Sequence, residues 1–214
     1  MTPADYAKAG RLLRRSDPVM AGLIEAHGTC GLAAAQRGDH FSALVRAVTN
    51  QQLSSKAAAT IYRRLTELMP DGTPTPDGFA AVSDEQLRGV GYSRQKIGYL
   101  RDLARHVEEH LLDLDVIDTL EDEEVIAQLT KVKGIGRWSA EMFLMFRLHR
   151  PDVLPVGDLG IVNAIHRQYR LRKRPTPDRI RKLGEKWRPY RSVACWYLWR
   201  SLDNEPLRGL SCQK

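Results

Sequence analysis

Helical periodicity runs through nearly the whole chain, and it limits the fold more than any other feature. Phe41, Leu44, Val45 and Val48 recur at helical spacing, as do Ala58, Ile61, Tyr62, Leu65 and Leu68. Ile97, Leu100, Leu103, Val107 and Leu111 mark a longer amphipathic helix. No run alternates apolar and polar residues in the way a half-buried strand requires. The expected fold class is all-α.

Capping residues punctuate this pattern. Asp17-Pro18 reads as an N-cap followed by proline at the first helical position, with Gly28 as the stop. Ser54 or Ser55 is suited to cap the next helix, which Pro70 ends. The stretch PDGTPTPDG (70–78) reads as a loop. Ser83 and Gln86 fit a capping box, and Glu121 to Glu124 suit a helix's first turn. Thr176-Pro177 repeats the cap-then-proline signal, and Tyr190 to Leu202 forms a final aromatic helix. GVGYSRQK (89–96) reads as an ordinary joint between helices.

The chain has 214 residues, a formal charge of +7 and a pI near 9.5. The excess is uneven: residues 160–214 hold 14 Lys/Arg against 4 Asp/Glu. Such a basic portion suits a polyanionic partner, most simply nucleic acid. Cys30, Cys195 and Cys212 are scattered, with no CxxC pair, which argues against a disulfide framework and a zinc or iron–sulfur site. No apolar run is long enough to span a membrane, and MTPADYAKAG lacks a secretory stretch, so a cytoplasmic protein is expected (nucleoid-associated if bacterial).

The most informative stretch is Leu129-Thr130-Lys131-Val132-Lys133-Gly134-Ile135-Gly136-Arg137-Trp138-Ser139-Ala140. A helix ends, a G-I-G turn follows, and a new helix begins. Glycines there permit positive φ and close backbone approach. The amides at the new helix start suit a phosphate, and Lys131, Lys133 and Arg137 add charge. A G-x-G often merely joins two helices, so the turn alone is weak evidence of binding.

This stretch resembles the helix–hairpin–helix of the base-excision DNA glycosylase superfamily. The family's second signature, a Gly/Pro-rich loop leading to an aspartate, is matched by Leu154-Pro155-Val156-Gly157-Asp158, with Asp158 20 residues after Trp138. Asn50-Gln51-Gln52-Leu53-Ser54 resembles the turn inserted into the DNA stack. Trp187-Arg188-Pro189-Tyr190-Arg191-Ser192, continuing to Trp199, resembles the C-terminal segment of the 3-methyladenine DNA glycosylase II branch. Together the similarity covers residues 40 to 202. Bifunctional members, which also nick the strand, carry Lys where this chain has Trp138, and often a four-Cys cluster that is missing here. Both departures favour a monofunctional alkylation-repair enzyme. Lys133 stands where the family more often has Pro. Residues 1–40 offer no N-terminal β-rich domain, so a compact form is expected.

The resemblance implies two helical lobes flanking a DNA-binding cleft: residues 1–40 with 160–214, and residues 41–159 carrying the hairpin at 125–150. It implies Asp158 as the catalytic carboxylate, a position that also reads as an N-cap before Leu159-Gly160-Ile161. Trp138 and Trp199, with Tyr197, are candidates for the base pocket, where electron-rich rings attract a cationic alkylated base. Gln52 and Leu53 are candidates to fill the hole left by a flipped base, or are ordinary turn and core residues. Lys133, Gly134, Gly136, Arg137 and Ser139 are candidates for the DNA backbone. No cofactor is required, although the backbone carbonyls of Thr130, Val132 and Ile135 are candidates for a monovalent cation. The expected partner is double-stranded DNA containing alkylated bases, bound by a monomer. A same-fold glycosylase for oxidised, deaminated or mismatched bases stays open, as does a non-catalytic binding module. That module would leave the aspartate loop and the aromatic C-terminal segment unexplained.

Overall fold

The computed structural model describes residues 1–33 and 39–202, so Cys212 lies outside the described residues. Among these residues the regular elements are all helical. In chain order they are α1 (Pro3–Ser16), α2 (Pro18–His27), α3 (His40–Asn50), α4 (Ser55–Leu68), α5 (Pro76–Ala81), α6 (Asp84–Val90) and α7 (Arg94–Glu108). There follow α8 (Asp122–Leu129), α9 (Arg137–Phe146), α10 (Leu159–Gln168), α11 (Pro177–Gly184) and α12 (Arg191–Arg200), with short 3₁₀ turns between some of them. No helix among the described residues is long and apolar enough to cross a membrane.

The boundaries follow from caps. Asp17 accepts from the Val19 amide to start α2, and Gly28, at φ 69°, ends it. Ser54 caps α4, Thr176 caps α11, and Ser83 with Gln86 closes a capping box on α6. Each such cap satisfies an amide that the helix leaves orphaned, worth about 1 kcal/mol. Two expectations need correction. The 70–78 stretch is not all loop: Thr75 caps α5 and Pro76 occupies its first position. α7 stops at Glu108, and Leu111 lies past its end, largely exposed.

The described residues form two compact units, 1–33 with 144–202, and 39–143. In the central unit α7 packs on α3, α5 and α6. Leu44, Leu65, Phe79, Leu87, Leu100 and Leu103 are fully buried there, each such side chain stabilising by about 1.5–3 kcal/mol. In the terminal unit α12 packs on α1, α2 and α10. It is buried nearly all round, which suits an aromatic helix with no polar face.

Asp17 organises the terminal unit's interior. It is 1% exposed and accepts from Trp187 Nε1 at 2.9 Å, Val19 N at 3.0 Å and the Tyr169 hydroxyl, with Lys186 Nζ at 3.0 Å. Burial opposes its charge, but these donors outweigh that and hold its pKa below the ordinary carboxylate value.

The division falls between Phe143 and Leu144 rather than near residue 160. The reason is local: the segment after α9 is bonded to α12. Arg191 reaches the Asp152 carboxylate through Nε at 2.7 Å and Nη2 at 3.0 Å. Ser192 Oγ donates to Arg150 O at 2.7 Å and accepts from Val153 N at 2.9 Å.

Candidate active site

The terminal unit carries the carboxylate. Asp158 is 9% exposed and begins α10, where its Oδ1 accepts the Ile161 amide at 2.7 Å. The same oxygen accepts Trp199 Nε1–H from α12 at 2.8 Å. Two rigid helices therefore fix the carboxylate. A Cβ at Gly160 would lie 2.9 Å from Asp158 Oδ1 and 2.9 Å from Trp199 Cδ1, so this position is held to glycine by close approach. The Asp152 ion pairs and the Ser192 bonds anchor the loop that delivers Asp158 to α10. Asp152, Arg191 and Ser192 had no sequence signal for this role, although Arg191 and Ser192 lie inside the C-terminal motif.

Trp199 is 3% exposed and stacks on Phe146, with ring centroids 5.9 Å apart and planes 24° from parallel. Tyr197 is also buried, and its hydroxyl donates to Gly28 O at 2.8 Å. Both of these base-pocket candidates are built into the terminal unit's packing. Trp138 differs: it sits on the first turn of α9 in the central unit and is 47% exposed. Trp187, which opens the C-terminal motif, is fully buried in the terminal unit.

The central unit holds the hairpin, formed by α8, the turn 130–136 and α9. Left-handed backbone is confined to Gly134, at φ 82°. A Cβ there would fall 2.2 Å from Tyr99 Cδ2. Gly136, expected to share that conformation, does not: its φ is ordinary, and a Cβ would meet nothing within 4 Å. Its carbonyl accepts the first α9 amide bond, from Ala140, at 3.1 Å.

Lys133 is exposed, yet its backbone N–H is committed to the Asp102 carboxylate at 2.8 Å. Burial raises the Asp102 pKa, but the Lys133 amide, Arg105 and His106 outweigh that and hold it low. Arg137 is bound to Glu123 and, at 3.2 Å, to Glu141, so part of its charge is neutralised within the protein. Ser139 is half-buried on the same turn of α9. Neutral carbonyl oxygens such as those of Thr130, Val132 and Ile135 suit a hard monovalent cation. Val132 O already accepts Ile135 N–H at 3.1 Å and keeps its second lone pair. Among the described residues no cluster of His, Cys, Asp or Glu has the makings of a metal site.

Gln52 and Leu53 lie between α3 and α4. Gln52 is exposed and left-handed, at φ 56°, a conformation costing a non-glycine residue about 1–2 kcal/mol. Leu53 is half-buried in the turn rather than in a helix core. The turn is braced from outside itself. Lys96 Nζ donates to Thr49 O and to Gln51 O, both at 2.7 Å. Gln51 Nε2 donates to Gly134 O at 2.8 Å. Thr49, fully buried, shares a 2.6 Å hydrogen bond with the Tyr92 hydroxyl. The structure thus joins the turn to the hairpin, and Asp158 to Trp199. Lys96 and Asp102 were not legible as site residues, because their partners are remote in sequence.

The central unit thus carries a helix–hairpin–helix with a strained, exposed turn bonded to it, and the terminal unit carries a capped, doubly hydrogen-bonded aspartate. Residues 45–189 match the model of the HhH-GPD superfamily base excision DNA repair proteins, and the chain belongs to that family. Among individual relatives it is 39% identical over 168 residues to DNA-3-methyladenine glycosylase 1 of Schizosaccharomyces pombe, covering 78% of this chain and 74% of that one. A crystal structure of DNA-3-methyladenine glycosidase from Bacillus halodurans superposes with a TM-score of 0.82 at 37% identity, over 92% of this chain and 89% of the other. The S. pombe 3-methyladenine DNA glycosylase Mag1, solved in complex with abasic DNA, gives 0.80 at 36% identity, over 91% and 96%.

Proposed function

We propose that this protein is a monofunctional DNA glycosylase of base excision repair that flips an alkylated base, of the 3-methyladenine type, out of duplex DNA and hydrolyses its N-glycosidic bond. The observation that carries this reading is the fixed Asp158 carboxylate, held by the Ile161 amide and Trp199 Nε1 in a chain of this family. Relatives named as 3-methyladenine glycosylases support the substrate class.

The chemistry follows from the lesion. An N-alkylated purine carries positive charge and leaves readily, so a strong general acid is not needed. As the C1′–N bond breaks, its electron pair goes to the base and the sugar becomes oxocarbenium-like. Asp158 stabilises that charge, water bonds to C1′, and its proton passes to the carboxylate or to solvent. A carboxylate so used must not swing away, and the bonds from α10 and α12 prevent it. Trp138 offers an exposed ring for stacking on the extruded base, and Trp199 serves Asp158 instead. Gln52 and Leu53 enter the vacated stack, and the hairpin around Gly134 and Gly136, with Lys133 and Ser139, meets the phosphates. Extrusion costs a few kcal/mol, least at a damaged base.

The test is to incubate the protein with methylated duplex DNA and identify released bases by mass. Free 3-methyladenine, with product strands that break only after alkali, is the expected result. Strand cleavage without alkali would point to an amine nucleophile and defeat the monofunctional assignment; no released base would defeat the reading as a whole.

A further inference from the structure

Resting on that reading, we propose that Lys96 is a positioning residue for base extrusion: its ammonium ties the Asn50–Ser54 turn to α7, the helix that also seats the hairpin. Thr49 O is one of the last carbonyls of α3, which have no partner within their own helix. A cation there matches the negative end of the helix dipole, and Lys96 supplies it while also reaching Gln51 O beyond the helix end. Two of its three donors are thereby spent on the protein, which sets Lys96 apart from an ordinary phosphate-binding lysine.

The same side of α7 continues onto the hairpin. Three residues beyond Lys96, the Tyr99 ring fills the space that Gly134 leaves open. Three further on, Asp102 accepts the Lys133 amide at 2.8 Å. The Gln51 side chain closes the circuit at Gly134 O, 83 positions away in sequence. Turn and hairpin are therefore referenced to one helix. A side chain driven into stacked bases is pushed back by them. These bonds pass that load to the element that grips the phosphates. The strained Gln52 sits at the tip of this assembly, where loss of the brace would let the turn relax.

The experiment compares two duplexes, one intact and one holding a stable abasic-site analogue beside 2-aminopurine, whose fluorescence rises when it is unstacked. For Lys96→Met, the expected outcome is a loss of about tenfold or more in affinity for the abasic duplex and of the fluorescence rise, with intact-duplex affinity within about twofold of wild type. Gln51→Ala, which cuts the link to Gly134 without touching the ammonium, is expected to show the same selective loss. It decides the matter if Lys96→Met does not fold. Equal losses on both duplexes would make Lys96 a phosphate contact or a general fold residue and overturn the proposal, as would no loss on either. If wild-type protein itself shows no preference for the abasic duplex, the glycosylase reading fails, a result distinct from failure of the Lys96 assignment.

Discussion

At Asp158 the cap and the proposed catalyst are one side chain, and the two roles separate by substitution. Asparagine caps a helix about as well as aspartate, so Asp158→Asn is expected to melt within a few degrees of wild type and to bind DNA. Base release under single-turnover conditions is expected to fall by about a hundredfold or more, because the amide carries no charge to meet the oxocarbenium. Excision near the wild-type rate would leave Asp158 as a cap alone. Trp199→Phe asks what the indole does. Phenylalanine keeps a ring against Phe146 but removes the 2.8 Å hydrogen bond to Asp158. If Trp199 holds the carboxylate, release should slow about tenfold. If it stacks on the base, the ring suffices and the rate should hardly change.

Among elements, the hairpin makes a contrast between its two glycines. Gly134→Ala meets both a positive φ and the Tyr99 ring, and is expected to cost about 2 kcal/mol or more in stability, seen as a lower melting temperature. Gly136→Ala meets neither, so its melting curve should match wild type while duplex affinity falls if the phosphate approaches there. Unchanged affinity would remove Gly136 from the interface. Helix starts were legible where a side-chain cap preceded a proline, as at Asp17-Pro18 and Thr176-Pro177, or closed a capping box, as at Ser83 with Gln86. α5 was hidden because the proline- and glycine-rich composition of 70–78 outweighed the Thr75-Pro76 cap within it. The aspartate and the turn were legible as motifs. The braces that hold them, Lys96 on Thr49 and Gln51, Asp102 on Lys133, and Arg191 on Asp152, join residues 31 to 47 positions apart and leave no periodic trace.

For the whole molecule, the division at Phe143 was equally hidden, since it depends on bonds between the 150–153 segment and α12 rather than on a linker composition. Asp17 gathers four donors of the terminal unit on one buried side chain. Asp17→Ala would strip four donors of their acceptor and is expected to destabilise by about 3 kcal/mol or more. Its depressed pKa also sets a sign. Stability from this carboxylate is fully present above the unfolded value of about 3.9 and is lost as pH falls through the lower folded value. Asp17→Asn should therefore be weaker than wild type at neutral pH and less sensitive to acid in that window. Parallel acid-unfolding curves for the two proteins would show that Asp17 is not the titrating group.

The uneven exposure of the tryptophans gives the molecule an intrinsic optical reporter. Trp187 and Trp199 are shielded from solvent, Trp196 is half-buried and Trp138 is 47% exposed, so in a Trp196→Phe background red-edge emission and collisional quenching by iodide select Trp138. An aromatic base that stacked on that ring would quench it and screen it from iodide. Stopped-flow mixing of unlabelled protein with unlabelled lesion DNA would then time the arrival of the base, separately from the time at which its bond breaks.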